Sequence, residues 1–273
     1  MGTWAELHRA EPERLHAVLA RPGLAEVLLG ARADLDALLW RRDVRAAAAS
    51  VATASIERGA RASAAIDGAD VFAADDSPMG RVLARAMAVT MAVPGQVSTF
   101  ERAPLQVMAH LHAVAAVGFE PADALGRPRS VMEADDPLRI GAPAPVEALS
   151  PALVALAQLL VRSPVLVRSP ALPELPGLAV AAMAHHEIIG LRPFGWGSGL
   201  VARALVRCVL ASRGLDPSCF SSPESGMLDQ GRPAYVQAVR SYLDGSPDGL
   251  AASLEWFCVA IGLGARAAGS FDA

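Results

Sequence analysis

Apolar positions recur at three- and four-residue spacing along most of the chain, and strict alternation is scarce. That period lays one face of each segment against a core and predicts an all-α protein. The pattern sets a first helix over 3–20 and a short second one near 23–31. A third runs from about Asp34, with a break, to Ile66. Asp67-Gly68 ends it, glycine being suited to the left-handed position after a helix. Residues 73–78 are polar and read as a loop. A helix over about 79–93 stops at Pro94-Gly95, and another opens at Pro104, where proline fits the first turn, and reaches Gly118. Residues 120–151 are rich in Pro, Asp and Gly and read as a long irregular connection, with at most one short β-hairpin inside 127–145. Long stretches of this kind in compact domains are often functional. Helices resume over 152–162, 174–190, 198–213, 232–243 and 248–267.

Two of these helices bracket the most informative stretch. The one over 174–190 is apolar nearly all round, which predicts a central position. The one over 198–213 carries a stripe of Val201, Ala204, Leu205, Cys208 and Val209, with Arg203 and Arg207 together on another side. Helical side chains lean toward the N-terminus, so Arg203 is expected to point back at the Gly-rich turn over 195–199. A Gly-rich turn that opens a helix gathers unpaired N–H groups at a positive dipole end, a ready seat for a phosphate.

Composition narrows the chemistry. Of 273 residues, 53% are hydrophobic, enough for a sizeable core and against disorder. All 24 basic residues are arginine, so Schiff-base and P-loop lysine mechanisms are excluded. The net charge is −4 and the arginines are dispersed, which predicts no nucleic-acid partner. Cys208, Cys219 and Cys258 lack metal-ligand spacing and read as buried or free thiols of a reducing compartment. The first residues are charged where a secretory apolar stretch would sit, and the longest apolar runs are broken by Pro, His or Arg. The expected location is therefore cytoplasmic, without a membrane span.

The stretch Leu191-Arg-Pro-Phe-Gly-Trp-Gly-Ser-Gly-Leu-Val-Ala-Arg203 resembles the Fic (fido) signature H-P-F-x-[D/E]-G-N-G-R-x-x-R. Pro193, Phe194, Gly197, Gly199 and Arg203 are kept. Arg192 stands at the family's catalytic histidine, Trp196 at its metal-binding acid, Ser198 at its asparagine and Leu200 at its diphosphate-gripping arginine. Ser63-Ala-Ala-Ile-Asp67-Gly68 resembles the family's inhibitory motif [S/T]-x-x-x-E-[G/N], with Asp for Glu, and the resemblance pairs Asp67 with Arg203. Residues 105–129, with Gly126 and Arg129, and 232–239, with Tyr235, are weaker echoes. The variant Leu-Arg-Pro-Phe-Gly-x-Gly is similar to an actinobacterial Fic-like subgroup. The resemblance divides the chain into an N-terminal helical segment over 1–75 and a Fic-like domain over 76–268.

Its implication for function is mixed. A guanidinium stays protonated, so Arg192 cannot serve as the family's general base, and Trp196 cannot hold Mg²⁺. Arg192 is instead a candidate for a phosphate or an acidic group. The expectation is a Fic-fold protein impaired in transferring AMP. Phosphate or nucleotide binding would fall to Phe194, Gly195, Gly197, Ser198, Gly199 and Arg203, with ATP or another nucleotide as ligand and no Mg²⁺. Ser63, Asp67 and Gly68 form the inhibitory-like element. The alternatives are a transferase for a different phosphorylated donor and a protein-binding module, with a homodimer as one assembly. His185 and His186 read as core histidines, and His110 and His112, two apart, fall on different helix faces. Tyr235 reads as packing, and Asp75-Asp76 and Asp135-Asp136 as solvated loop acids.

Overall fold

The computed structural model describes residues 12–161 and 175–268. The expected helical positions before Pro12, and those at 162 and 174, lie outside the described residues. Helix α1 spans Pro12–Leu19, α2 Pro22–Trp40, α3 Arg42–Ala46 and α4 Ala48–Ile66. The breaks fall at Arg41 and Ala47, so the expected segments over 23–31 and 34–66 are re-divided. Leu24, Leu28, Ala31, Leu35 and Leu38 make one buried stripe across the position where two helices were expected, and one continuous face folds as one helix.

After a loop come α5 (Pro78–Ala92), a 3₁₀ turn (Pro94–Gln96), α6 (Val97–Phe100) and α7 (Pro104–Ala115). The Ser77 hydroxyl caps α5 by accepting the Gly80 N–H at 3.0 Å. Helix α8 spans Val146–Leu160 and so begins inside the stretch expected to be irregular, with Pro151 within it. Leu149, Leu153, Leu156 and Leu160 are buried along one face, and that stripe outweighs the bond lost at proline.

Helix α9 (Gly177–Leu191) is buried from Leu178 through Leu191 and touches α8, α10, α12 and α13. Helix α10 (Ser198–Ser212) packs on α9 and also meets α4, α5, α6, α7 and α11. The last three are α11 (Pro223–Asp229), α12 (Arg232–Leu243) and α13 (Pro247–Ala268). Helix α13 is long and apolar enough to cross a membrane by length and composition, but it packs against α1, α2, α9, α11 and α12 as a core helix. The N-terminal helices are built into the same core, α2 against α13 and α4 against α5 and α11.

No strand occurs among the described residues; the single bridge joins Val117 and Glu120. The hairpin expected within 127–145 is therefore absent. Arginines, rather than a partner strand, take the carbonyls of this strap. Arg129 donates to the carbonyls of Val131, at 2.6 Å, and Ala144. Arg232 donates to Pro137 O, and Arg240 to Arg139 O at 3.0 Å.

Candidate functional site

The site forms where α9 gives way to α10. Arg192 ends α9 in the left-handed region, φ 42° and ψ 65°, with its N–H on Ile188 O at 3.0 Å. For a residue with a side chain this costs about 1–2 kcal/mol. The surroundings hold it there. Arg129 Nε donates to Arg192 O at 2.8 Å, and the Arg192 guanidinium pairs with Asp136 at 3.1 Å and donates to Gly141 O. Burial lowers the Arg192 pKa from its usual value, and Asp136 opposes that. Arg192 Nε is buried without a hydrogen-bond partner.

The chain then turns inward. Phe194 is buried and its ring stacks on His112 at 3.9 Å. Ser198 Oγ accepts the Phe194 N–H at 3.3 Å and lies 3.4 Å from its carbonyl, closing the loop on itself. Gly197, at φ 78°, makes the left-handed step into α10. Trp196 stacks on Phe119 at 3.8 Å, with Arg81 over the far face of Phe119 at 4.9 Å.

A cavity of about 340 Å³ opens against this turn. Gly197 and the first residues of α10, Ser198 and Gly199, line it. Arg192 and Trp196 flank it, and Asp135, Asp136, Leu138 and Ile140 of the strap form a wall. Phe194 and Gly195 do not line it; Phe194 is buried and Gly195 half-buried. The strap is tied to the loop by Arg129 N–H on Pro193 O at 2.8 Å and Asp135 N–H on Gly195 O at 2.7 Å. Asp136 thus departs from the expectation of a solvated loop acid, whereas Asp135 is exposed as expected. Asp136 pairs with Arg192 and accepts the N–H groups of Ile140 and Gly141, each at 3.1 Å.

The structure brings Asp67 and Arg203 together. Arg203 is fully buried and donates to Asp67 Oδ2 at 2.5 Å, Ser63 Oγ at 2.7 Å, Ser63 O at 3.1 Å and the Tyr235 hydroxyl at 3.3 Å. Asp67 lies directly over the first turn of α10. A β-carbon on Gly199 would come within 3.0 and 3.1 Å of its two carboxylate oxygens, so glycine permits the approach. Asp67 Oδ1 has no hydrogen-bond partner.

The histidines sit behind the site. His185 Nε2 meets the Tyr235 hydroxyl at 2.6 Å, and His186 Nδ1 donates to Ala182 O at 2.8 Å. Burial lowers the pKa of both, that of His186 to about 4, so both are neutral at pH 7. Tyr235 is fully buried, as packing predicts, and its hydroxyl joins His185 to Arg203. His112, pushed to about 4 by burial, accepts the Gly126 N–H on Nδ1 at 3.0 Å and faces Glu120 at 3.6 Å. Sequence reasoning missed Glu120 and Asp136, whose roles depend on contacts between loops that carry no periodic signal. Among the described residues no group of three or more His, Cys, Asp or Glu side chains could hold a metal.

No protein-family profile matches the sequence, and no curated protein matches it. Solved structures do. A Fic family protein from Desulfovibrio desulfuricans superposes with a TM-score of 0.65 at 14% identity, over 89% of this chain and 74% of that one. Fic-1 from C. elegans superposes with a TM-score of 0.67 at 14% identity, over 97% of this chain and 82% of that one. The chain has the Fic fold. Within that fold, the Fic-like stretch 191–203 forms the α9–α10 turn, and the segment resembling the Fic inhibitory motif ends α4 against it.

Proposed function

We propose that this Fic-fold protein has lost AMP transfer by the histidine-based route and retains a phosphate seat that its own Asp67 keeps closed. The observation that carries the reading is the position of the Asp67 carboxylate over Gly199, at the positive end of α10 and paired with Arg203. An internal carboxylate there does what a bound phosphate would do: it answers the helix dipole and the guanidinium together. The loss of transfer is supported by side-chain chemistry. Arg192 is pinned to Asp136 and Gly141 and carries no proton it can give up near neutrality. Trp196 has no oxygen for Mg²⁺ and is stacked on Phe119.

Calorimetry with ATP, ADP and AMP, with and without Mg²⁺, tests both halves. Asp67→Ala should bind nucleotide at least tenfold more tightly than wild type, irrespective of Mg²⁺. The double variant Asp67→Ala, Arg203→Gln should fall back to the wild-type level. An Asp67→Ala protein that binds no nucleotide would overturn the phosphate seat. Efficient labelling of any protein with AMP by the wild type would overturn the loss of transfer.

A further inference from the structure

The cavity beside the loop has a side that a phosphate seat leaves unexplained. Val82, Leu138, Ile140, Ile189 and Trp196 line it along with the α10 terminus. Two of its carboxylates are answered within the protein, Asp136 by Arg192 at 3.1 Å and Asp67 by Arg203 at 2.5 Å, and Asp135 is exposed to water. What these leave for a ligand is the apolar lining, and Trp196 is its one aromatic ring. The Fic signature has its metal-binding acid at this position, a role that an indole cannot take. The ring is not withdrawn into the core either; it is half-buried and lines the cavity. Phe119 covers one of its faces, with the centroids 3.8 Å apart and the planes 8° from parallel, and Arg81 lies 4.9 Å from the Phe119 centroid. Arg81 is tied in turn to Gly118 O, and Asp135 N–H holds Gly195 O at 2.7 Å beside the ring.

An aromatic ring fixed on one face and open at a cavity is a stacking surface in place before its ligand arrives, so binding spends little on ordering it. A flat heteroaromatic ring is the matching group, and every nucleobase has such a π-face. The cavity, at about 340 Å³, falls in the range of small-ligand sites, roughly 300–1,000 Å³. We propose that Trp196 is the platform on which the base of a nucleotide stacks, with Leu138 and Ile140 of the strap completing the apolar lining around it. That the ring belongs to a nucleotide rests on the phosphate seat proposed above, which lines the same cavity. Trp196 then makes the site select nucleotides over phosphate and sugar phosphates. The base itself displaces nothing from the Asp67–Arg203 pair.

The test is calorimetric titration of the whole chain with adenosine, ribose, AMP and ribose 5-phosphate. Adenosine should bind the wild type at least tenfold more tightly than ribose does. Trp196→Leu should weaken adenosine about tenfold, and Trp196→Phe, which keeps a flat ring, should recover most of that loss. On the Asp67→Ala background AMP should bind at least tenfold more tightly than ribose 5-phosphate. Adding Trp196→Leu there should bring AMP down to ribose 5-phosphate and leave the latter unchanged, which also shows that the loop is intact. Adenosine no tighter than ribose, or equally tight in wild type and Trp196→Leu, would overturn the platform. So would a loss of ribose 5-phosphate along with AMP, because Trp196 would then be shaping the loop. The two readings fail separately. AMP and ribose 5-phosphate held equally by Asp67→Ala would overturn the platform and leave the phosphate seat. Adenosine held through Trp196 by a protein whose Asp67→Ala form takes no ribose 5-phosphate would overturn the seat and leave the platform.

Discussion

Arg203 and Arg207 stand one turn apart on α10, both buried, and both reach across to α4 through a serine. Arg207 donates to Ser55 Oγ and to Ser55 O, each at 3.1 Å, as Arg203 does to Ser63. Their acids differ. Glu224 grips Arg207 with both oxygens, at 2.7 and 2.8 Å, and is itself buried. Asp67 grips Arg203 with one oxygen and leaves the other without a donor. A bidentate pair with every oxygen answered has nothing to gain by exchange. A pair with an orphan oxygen is held less completely. On the proposed reading one clamp holds and the other is open to contest.

Breaking the closed clamp should give the largest effect. Glu224→Gln leaves Arg207 charged and uncompensated in the core, and removing one partner of a buried pair costs about 3–5 kcal/mol. Urea denaturation measures it; a loss below about 1 kcal/mol would erase the contrast.

A third buried acid shows what an arginine clamp spares. Glu187 on α9 has the Tyr242 hydroxyl on Oε1 at 2.6 Å but no arginine partner, and burial lifts its pKa from 4.5 to about 7. The folded state therefore keeps a proton that the unfolded chain releases near pH 4.5. The stability from this group is full below pH 4.5 and is lost as pH rises through about 7. Glu187→Gln should stabilise the protein by up to about 3 kcal/mol at pH 8 and by nothing at pH 4. Comparing variant and wild type at each pH cancels the opposing titration of the buried histidines. A difference that does not grow with pH would reject this account.

How much of the two clamps the sequence disclosed follows from what each rests on. The all-round apolar character of 174–190 announced a central helix, and α9 is buried along its length. The Asp67–Arg203 pair was legible because two motifs with fixed spacing pointed at each other. Arg207 was visible only as a neighbour on the same side. Its acid lies in α11, a helix of only seven residues, too short for a stripe to reveal it. The strap was misread for a related reason. Its carbonyls are held by Arg129 from within the strap and by Arg232 and Arg240 from far along the chain. Periodicity reports which face is buried, but not which side chain crosses a gap.

A smaller effect comes from crowding the closed clamp. A β-carbon on Gly59 would fall 2.2 Å from Arg207 Nη2 and 2.6 Å from Glu224 Oε2. Gly59→Ala should cost about 1–2 kcal/mol, although alanine is the better helix former by about 1 kcal/mol. A thermal melt that rises instead would mean that the clamp has room to shift.

The smallest loss of stability should come from opening the contested clamp. Asp67→Asn removes the charge facing Arg203, as Glu224→Gln does for Arg207, yet three features soften it. Arg203 keeps Ser63 Oγ, Ser63 O and the Tyr235 hydroxyl. Asp135 and Asp136 stay at the cavity as negative charge. The substitution also relieves the repulsion that Asp67 exerts on Asp135. The expected cost is about 1 kcal/mol by urea denaturation. A cost equal to that of Glu224→Gln would make the two clamps the same device, with Asp67 a structural counterion and no longer a movable plug.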